Sequence, residues 1–172
     1  MKEYIGVKRV KGKRMTRQEY NDYRGWDLPS DENGADEGYL IEYLDSPNGN
    51  HPKHEGYISW SPEKQFDDAH REVTGIPFGY AIEAAKRGNK IARTGWNGKN
   101  MFVVVMPALN LPPHSSQEPG AKVNDRTAKF IGEDAPLNCV PYFAMYAANG
   151  DWVPGWLASQ TDMLSEDWCI FD

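Results

Sequence analysis

Between Phe78 and Gly88 the apolar residues Phe78, Ala81, Ile82 and Ala85 recur at i, i+3, i+4 and i+7. That spacing is one face of a helix, and Gly88 suits its C-terminal stop. Elsewhere the apolar positions alternate or run together, which is the habit of strands. Tyr4–Val10 alternates and predicts a first strand, and Gly38–Asp45 and Tyr57–Trp60 predict two more. The last two flank Ser46-Pro-Asn-Gly-Asn-His-Pro, a turn-rich connection suited to a hairpin. Lys90–Arg93 reads as a short strand, and the β-branched run Met101–Met106 as a buried one. Tyr142–Ala147, then Asn149-Gly150, then Asp151–Val153 read as a hairpin with an Asn-Gly turn. Asp167–Phe171 closes the chain as a strand.

Polar residues mark the helix starts. Thr16-Arg-Gln-Glu19 has the form of a capping box and predicts a helix to about Arg24. Ser61-Pro62 offers an N-cap followed by proline at the first helical position, predicting a second helix to about Glu72. Ser159 is placed to cap a short helix over Gln160–Glu166. Trp26–Asp36 reads as a loop, and Leu109–Lys129, with three prolines, as a long extended one. Loops of that length in a compact domain are usually functional or mobile. Gly and Pro in Val73-Thr-Gly-Ile-Pro77 interrupt the helical pattern, so the expected parts are residues 1–73 and 74–172.

Composition narrows the function classes. A net charge of −6 argues against a general binder of DNA or RNA polymers, which would normally be basic. It leaves room for a small anion in a local positive pocket. The longest apolar runs are far too short to span a bilayer, and Met1-Lys-Glu-Tyr-Ile-Gly lacks a signal-peptide core, so a soluble intracellular protein is expected. Cys139 and Cys169 lack metal spacing and read as free thiols. His51 and His54 lie near Asp45 and Glu55 and read as solvated loop histidines. The acidic group Asp31, Glu32, Asp36 and Glu37 lacks a calcium-loop pattern and reads as a charged surface. No metal site or cofactor is expected. No serine or cysteine sits in a nucleophile-elbow context, and no phosphate loop or dinucleotide fingerprint is present, so a non-enzymatic protein is expected.

Two segments stand out, Arg93-Thr-Gly-Trp-Asn-Gly98 and Trp156-Leu-Ala-Ser-Gln-Thr-Asp-Met-Leu-Ser-Glu-Asp-Trp168. Each sets a tryptophan, with its flat apolar face and single donor, beside small residues and multivalent hydrogen-bonding side chains. Together they suit a planar, polar, phosphate-bearing ligand. Taken alone, Trp96-Asn97-Gly98 reads as a β-turn with a core tryptophan, and Ser159-Gln-Thr-Asp162 as a helix cap.

Residues from about Phe78 to Phe171 resemble the second Thoeris anti-defence family of phage proteins. The resemblance rests on Phe-Gly-Tyr-Ala-Ile-Glu-Ala-Ala-Lys-Arg-Gly (78–88), Ile-Ala-Arg-Thr-Gly-Trp-Asn-Gly-Lys (91–99), Pro-Tyr-Phe-Ala-Met (141–145), Trp-Leu-Ala-Ser-Gln-Thr-Asp-Met-Leu (156–164) and Glu-Asp-Trp (166–168). It implies an α+β fold, with a helix packed on a small antiparallel β-sheet in the C-terminal domain. It further implies a homotetramer in the host bacterial cytoplasm with pockets at subunit interfaces. Such proteins act as sponges for cyclic nucleotide second messengers. They bind glycocyclic ADP-ribose and, in some members, cyclic di- or trinucleotides of CBASS immunity. The long stretch Leu109–Lys129 departs from the family's usual connection, which implies a reshaped or covered pocket. Residues 1–73 lie outside the resemblance. They look like a small α+β module of uncharacterised phage proteins.

Carried over residue by residue, the resemblance implies that Trp96 stacks on a base or ribose and Arg93 pairs with a phosphate. Asn97, beside Gly98, would bond a hydroxyl or phosphate. Ser159, Gln160, Thr161 and Asp162 would bind hydroxyls, base edges or, through helix-start N–H groups, phosphate. Phe143 and Trp156 complete the aromatic lining. Two rivals stand beside the sponge: an enzyme that degrades the nucleotide, and a phage structural or adaptor protein whose tryptophans only hold a core together.

Overall fold

The computed structural model describes residues 1–4 and 6–171. They divide into two compact units, Met1–Glu72 and Val73–Asp172.

Unit 1 contains a three-stranded antiparallel sheet in the order β1-β2-β3, built from β1 (Val10–Arg14), β2 (Gly38–Tyr43) and β3 (Tyr57–Pro62). Helix α1 (Arg17–Arg24) starts at the expected capping box. The Thr16 hydroxyl accepts from the Glu19 N–H, and the Glu19 carboxylate accepts from the Thr16 N–H. Gly25, in the left-handed region at φ 68°, closes the helix, where a side chain would be strained. Met15, Tyr20, Leu40 and Ile58 form the core under α1, flanked by Tyr23 and Trp60. Helix α2 (Glu63–Ala69) lays Phe66 flat on Tyr39, with ring centroids 4.1 Å apart.

Two expectations shift here. The first strand runs over Val10–Arg14, and the described residues between Tyr4 and Arg9 form none; Ile5 lies outside the described residues. Pairing with β2, from Val10↔Tyr43 to Arg14↔Tyr39, selects the basic run over the alternating one. Lysine is at home on such an edge strand. Second, pairing of Gly38 with Pro62 keeps Ser61 and Pro62 extended, so α2 starts at Glu63 without a side-chain cap and stops at Ala69.

Unit 2 is built on a five-stranded antiparallel sheet. Its members are β4 (Lys90–Arg93), β5 (Phe102–Met106), β8 (Tyr142–Tyr146), β9 (Trp152–Pro154) and β10 (Trp168–Phe171), in the order β10-β4-β5-β8-β9. Helix α3 (Phe78–Lys86) packs on β4, β5 and β10. Its buried stripe is Ala81, Ala84 and Ala85. Alanine keeps helix propensity high and lets the backbone approach the sheet closely. Ile91, Val103, Ile76 and Trp168 complete this core.

The stretch Leu109–Lys129 is not a plain loop. Between β5 and β8 the chain forms a two-stranded ribbon, β6 (Leu109–Leu111) with β7 (Leu137–Cys139), enclosing helix α4 (Asp125–Ile131). Asn124 caps α4 by accepting from the Thr127 N–H, and Val123, 1% exposed, anchors the insertion. The prolines hide β6 because its partner lies far along the chain, and Asn124 was the readable signal. The final helix, α5 (Gln160–Met163), is shorter than expected because the Thr94 N–H donates to the Asp167 carbonyl and draws the chain into β10. Among the described residues no helix is long and apolar enough to cross a membrane.

Candidate functional site

Pairing of β4 with β10 sets Arg93 opposite Trp168, so the turn after β4 meets the segment leading into β10. The Arg93 guanidinium lies between two carboxylates. Its Nη1 donates to Asp162 at 2.8 Å, and its Nε donates to Asp167 at 2.7 Å. The second oxygen of Asp167 accepts the Gly95 N–H at 2.8 Å. A Cβ at Gly95 would stand 2.6 Å from that oxygen, so glycine is what permits the approach. Asp162, 9% exposed, is the hub. Besides Arg93 it accepts the Trp96 indole N–H at 3.0 Å and the Ser159 hydroxyl at 2.7 Å. Ser159 and Asp162 also form a capping box, each side chain accepting the other's backbone N–H.

Charge follows the geometry. Burial pushes the Asp162 carboxyl up, but bonds from Arg93, Ser159 and Trp96 outweigh it and hold it at about 2. Asp167 is lowered first by Arg93 and then by the Gly95 N–H, against the opposing effect of burial. Hydrogen bonds to Asp167 and Asp162 raise Arg93 further above its ordinary value. The guanidinium is thus neutralised by its own chain.

The aromatic residues close the site from below. Trp168 is wholly buried, and its indole N–H donates to the Asp162 carbonyl at 2.9 Å. Trp96 and Trp156 meet it edge-on, at centroid distances of 5.4 and 6.3 Å, and meet each other at 6.2 Å. Phe143 meets Trp156 edge-on at 6.4 Å, and its carbonyl accepts the N–H groups of Gly155 and Trp156. This ties the end of β9 to the tryptophan cluster.

Two comparisons bear on this site. Residues 76–171 match the family model of the Thoeris anti-defense 2-like domain. Over 97 residues the chain is 35% identical to Thoeris anti-defense 2 of Bacillus phage SP01, covering 56% of this chain and 96% of that protein. The chain belongs to the Thoeris anti-defense 2-like family. The matched span of the family domain takes in every residue of the two tryptophan segments, whereas residues 1–75 fall outside it.

Within the family domain the ten candidate residues separate into two sets. Arg93, Trp96, Ser159 and Asp162 are joined to one another, and Phe143 and Trp156 pack beside them. Asn97, Gln160 and Thr161 are exposed, and among the described residues their side chains bond to no protein group. Gly98 is half-buried, with Met101 and Ala148 packed where a Cβ would go. Asp167 and Gly95 were missed as site residues by sequence reasoning, which placed Asp167 only at the start of the last strand. The readable signal was its place just before a strand that pairs with the one bearing Arg93.

In this arrangement the two carboxylates accept from Arg93, Gly95, Trp96 and Ser159. Among the described residues of the site, the Ser159 hydroxyl is the one that donates to a carboxylate, that of Asp162. Asn97, Gln160 and Thr161 are exposed and adjoin its members in sequence, and the indoles of Trp96 and Trp156 are half-buried.

Proposed function

We propose that this chain is an anti-defence protein that sequesters a cyclic nucleotide immune signal without cleaving it. The expected ligand is glycocyclic ADP-ribose, and cyclic di- or trinucleotides form a second class. The observation that carries this reading is the ion-paired frame that joins Arg93, half-buried Trp96, Ser159 and Asp162, with exposed Asn97, Gln160 and Thr161 next to its members in sequence. Amide and hydroxyl side chains read ribose hydroxyls and base edges, and an indole surface stacks on a base, worth about 1–3 kcal/mol per base. Arg93 serves as frame, because both carboxylates already hold its fork. Lys99, exposed and next to Gly98 in sequence, is a candidate partner for a phosphate.

Assembly fits the same surface. Leu157 and Leu164, 87% and 74% exposed, flank the candidate ligand contacts. Apolar residues so exposed beside a polar site support a pocket completed by a second copy, within the homotetramer that the family resemblance implies. Light scattering on the purified protein measures the assembly directly.

The deciding experiment incubates the purified chain with glycocyclic ADP-ribose and a panel of cyclic di- and trinucleotides, then heat-denatures it and analyses the supernatant. Depletion before heating and return of intact ligand afterwards is expected. An altered product means an enzyme, and no depletion of any candidate leaves the adaptor reading. The paired change Gln160→Ala with Thr161→Ala is expected to abolish retention while leaving the fold intact.

A further inference from the structure

Unit 1 carries a groove that the nucleotide reading does not use. It measures ≈ 470 Å³, within the range of about 300–1,000 Å³ typical of small-molecule sites. Its walls come from one face of the sheet and from the loop between β2 and β3. Tyr43 and Tyr57 pair directly across these strands, with ring centroids 6.4 Å apart and planes inclined at 46°. Ser59, two positions along on the same face, reaches the Tyr43 hydroxyl at 3.5 Å. Lys8 stands 5.4 Å above the Tyr43 ring and 3.6 Å from the Asp45 carboxylate.

The loop that forms the far wall, residues 44–56, is much longer than the about 2–5 residues of a usual hairpin loop. It is nonetheless pinned over its second half. The Asn50 amide copies a strand partner, donating to the Ile58 carbonyl at 2.9 Å and accepting its N–H at 2.7 Å. On the other face of the sheet, Glu42 accepts the Gly56 N–H at 3.1 Å and meets His54 Nδ1 at 3.1 Å. Glu42 lies below its ordinary value, held there first by that backbone N–H and then by its bond with His54. His54 Nε2 faces the Tyr23 hydroxyl at 2.9 Å, and His51 stacks on the Tyr23 ring at 4.7 Å. His51 and His54 are therefore not solvated loop residues as their sequence context suggested. They anchor the second half of the loop.

We propose that this groove is a second ligand site, for a neutral saccharide. Its two formal charges, Lys8 and Asp45, cancel, which disfavours a phosphate-bearing or cationic ligand. Hydroxyl, ammonium and carboxylate groups supply donors and acceptors within reach of one another, as sugar hydroxyls require. The inclined tyrosine rings cannot sandwich a flat base. They form a corner in which Lys8 stands over the Tyr43 ring and the exposed Tyr57 ring offers an apolar face to the C–H face of a puckered sugar ring.

The test is saturation-transfer NMR on the full chain with methyl β-glucopyranoside, N-acetylglucosamine, maltotriose and adenosine as probes. At least one saccharide is expected to receive saturation and to perturb the ring resonances of Tyr43 and Tyr57. Tyr57→Ala should weaken that binding by about 10-fold, whereas Tyr57→Phe should retain most of it. Because Tyr57→Phe keeps the strand residue aromatic, its retained binding guards against a folding artefact. Nucleotide retention by unit 2 should be unchanged in both variants. The proposal is overturned if no saccharide perturbs these rings, if adenosine alone does, or if Tyr57→Ala binds as the parent does.

Discussion

Each unit ties a turn or loop to its sheet through a nearly buried carboxylate, yet the two ties serve different ends. Asp162 gathers Arg93 and Trp96 from across most of unit 2, more than sixty residues away in sequence. Glu42 gathers Gly56 and His54 from the loop that immediately follows its strand. A contact between distant segments closes a fold, whereas a contact within one hairpin positions a loop. Removing the two carboxylates should therefore give unlike results. Asp162→Ala leaves Arg93 with one partner and strands the Trp96 and Ser159 donors, and is expected to cost about 3–5 kcal/mol. Amide hydrogen exchange should show protection lost throughout β4, β10 and α3. Glu42→Ala is expected to cost about 1–3 kcal/mol and to expose chiefly the amide of Gly56. Equal, unit-wide loss in both variants would break the comparison.

Acid sharpens the contrast. Asp162 and Asp167 in unit 2 and Glu42 in unit 1 all have folded-state values below their ordinary ones. Stability from a lowered carboxyl is present above its unfolded value and is lost as pH falls through the folded value. For Asp162 the window runs from 3.8 down to about 2. Two such groups on one guanidinium should make unit 2 the more acid-sensitive of the two, as followed by exchange-detected melting at pH 6, 4 and 3. Arg93→Lys keeps the charge and loses the fork that holds both carboxylates. About 2 kcal/mol of unit 2 stability should go with it, and the acid window should shallow.

Much of this was legible in the sequence, and the exceptions share a cause. The α1 capping box, helix α3 and strand β4 depend on residues within a few positions of one another, and local signals found them, although the buried stripe of α3 takes Ala84 in place of Ile82. The shift of β1 to a lysine-rich run, the β6-β7 ribbon and the early end of α5 depend on partners far along the chain. Period alone does not report those partners. The candidate site shows the same divide. Arg93, Trp96 and Asp162 were singled out, yet what each touches was not readable, because their mutual bonds and the role of Asp167 arise only when β4 meets β10.

The smallest test sets one capping box against the other. In α1 the Thr16 hydroxyl accepts one N–H at 3.2 Å, and its partner Glu19 answers with one bond to the Thr16 N–H. Thr16→Ala should cost about 1 kcal/mol, the usual value for a lost N-cap. In α5 the Ser159 hydroxyl accepts the Asp162 N–H at 3.1 Å and also donates to the Asp162 carboxylate at 2.7 Å. Ser159→Ala therefore removes a cap and one of the bonds that hold the hub ionised. It should cost more than Thr16→Ala, about 2 kcal/mol. It should also move the acid transition of unit 2 upward, since fewer bonds would lower Asp162. Thr16→Ala should leave that transition in place. A matching shift from both variants would mean that the Ser159 cap is an ordinary one, separate from the ion-paired frame.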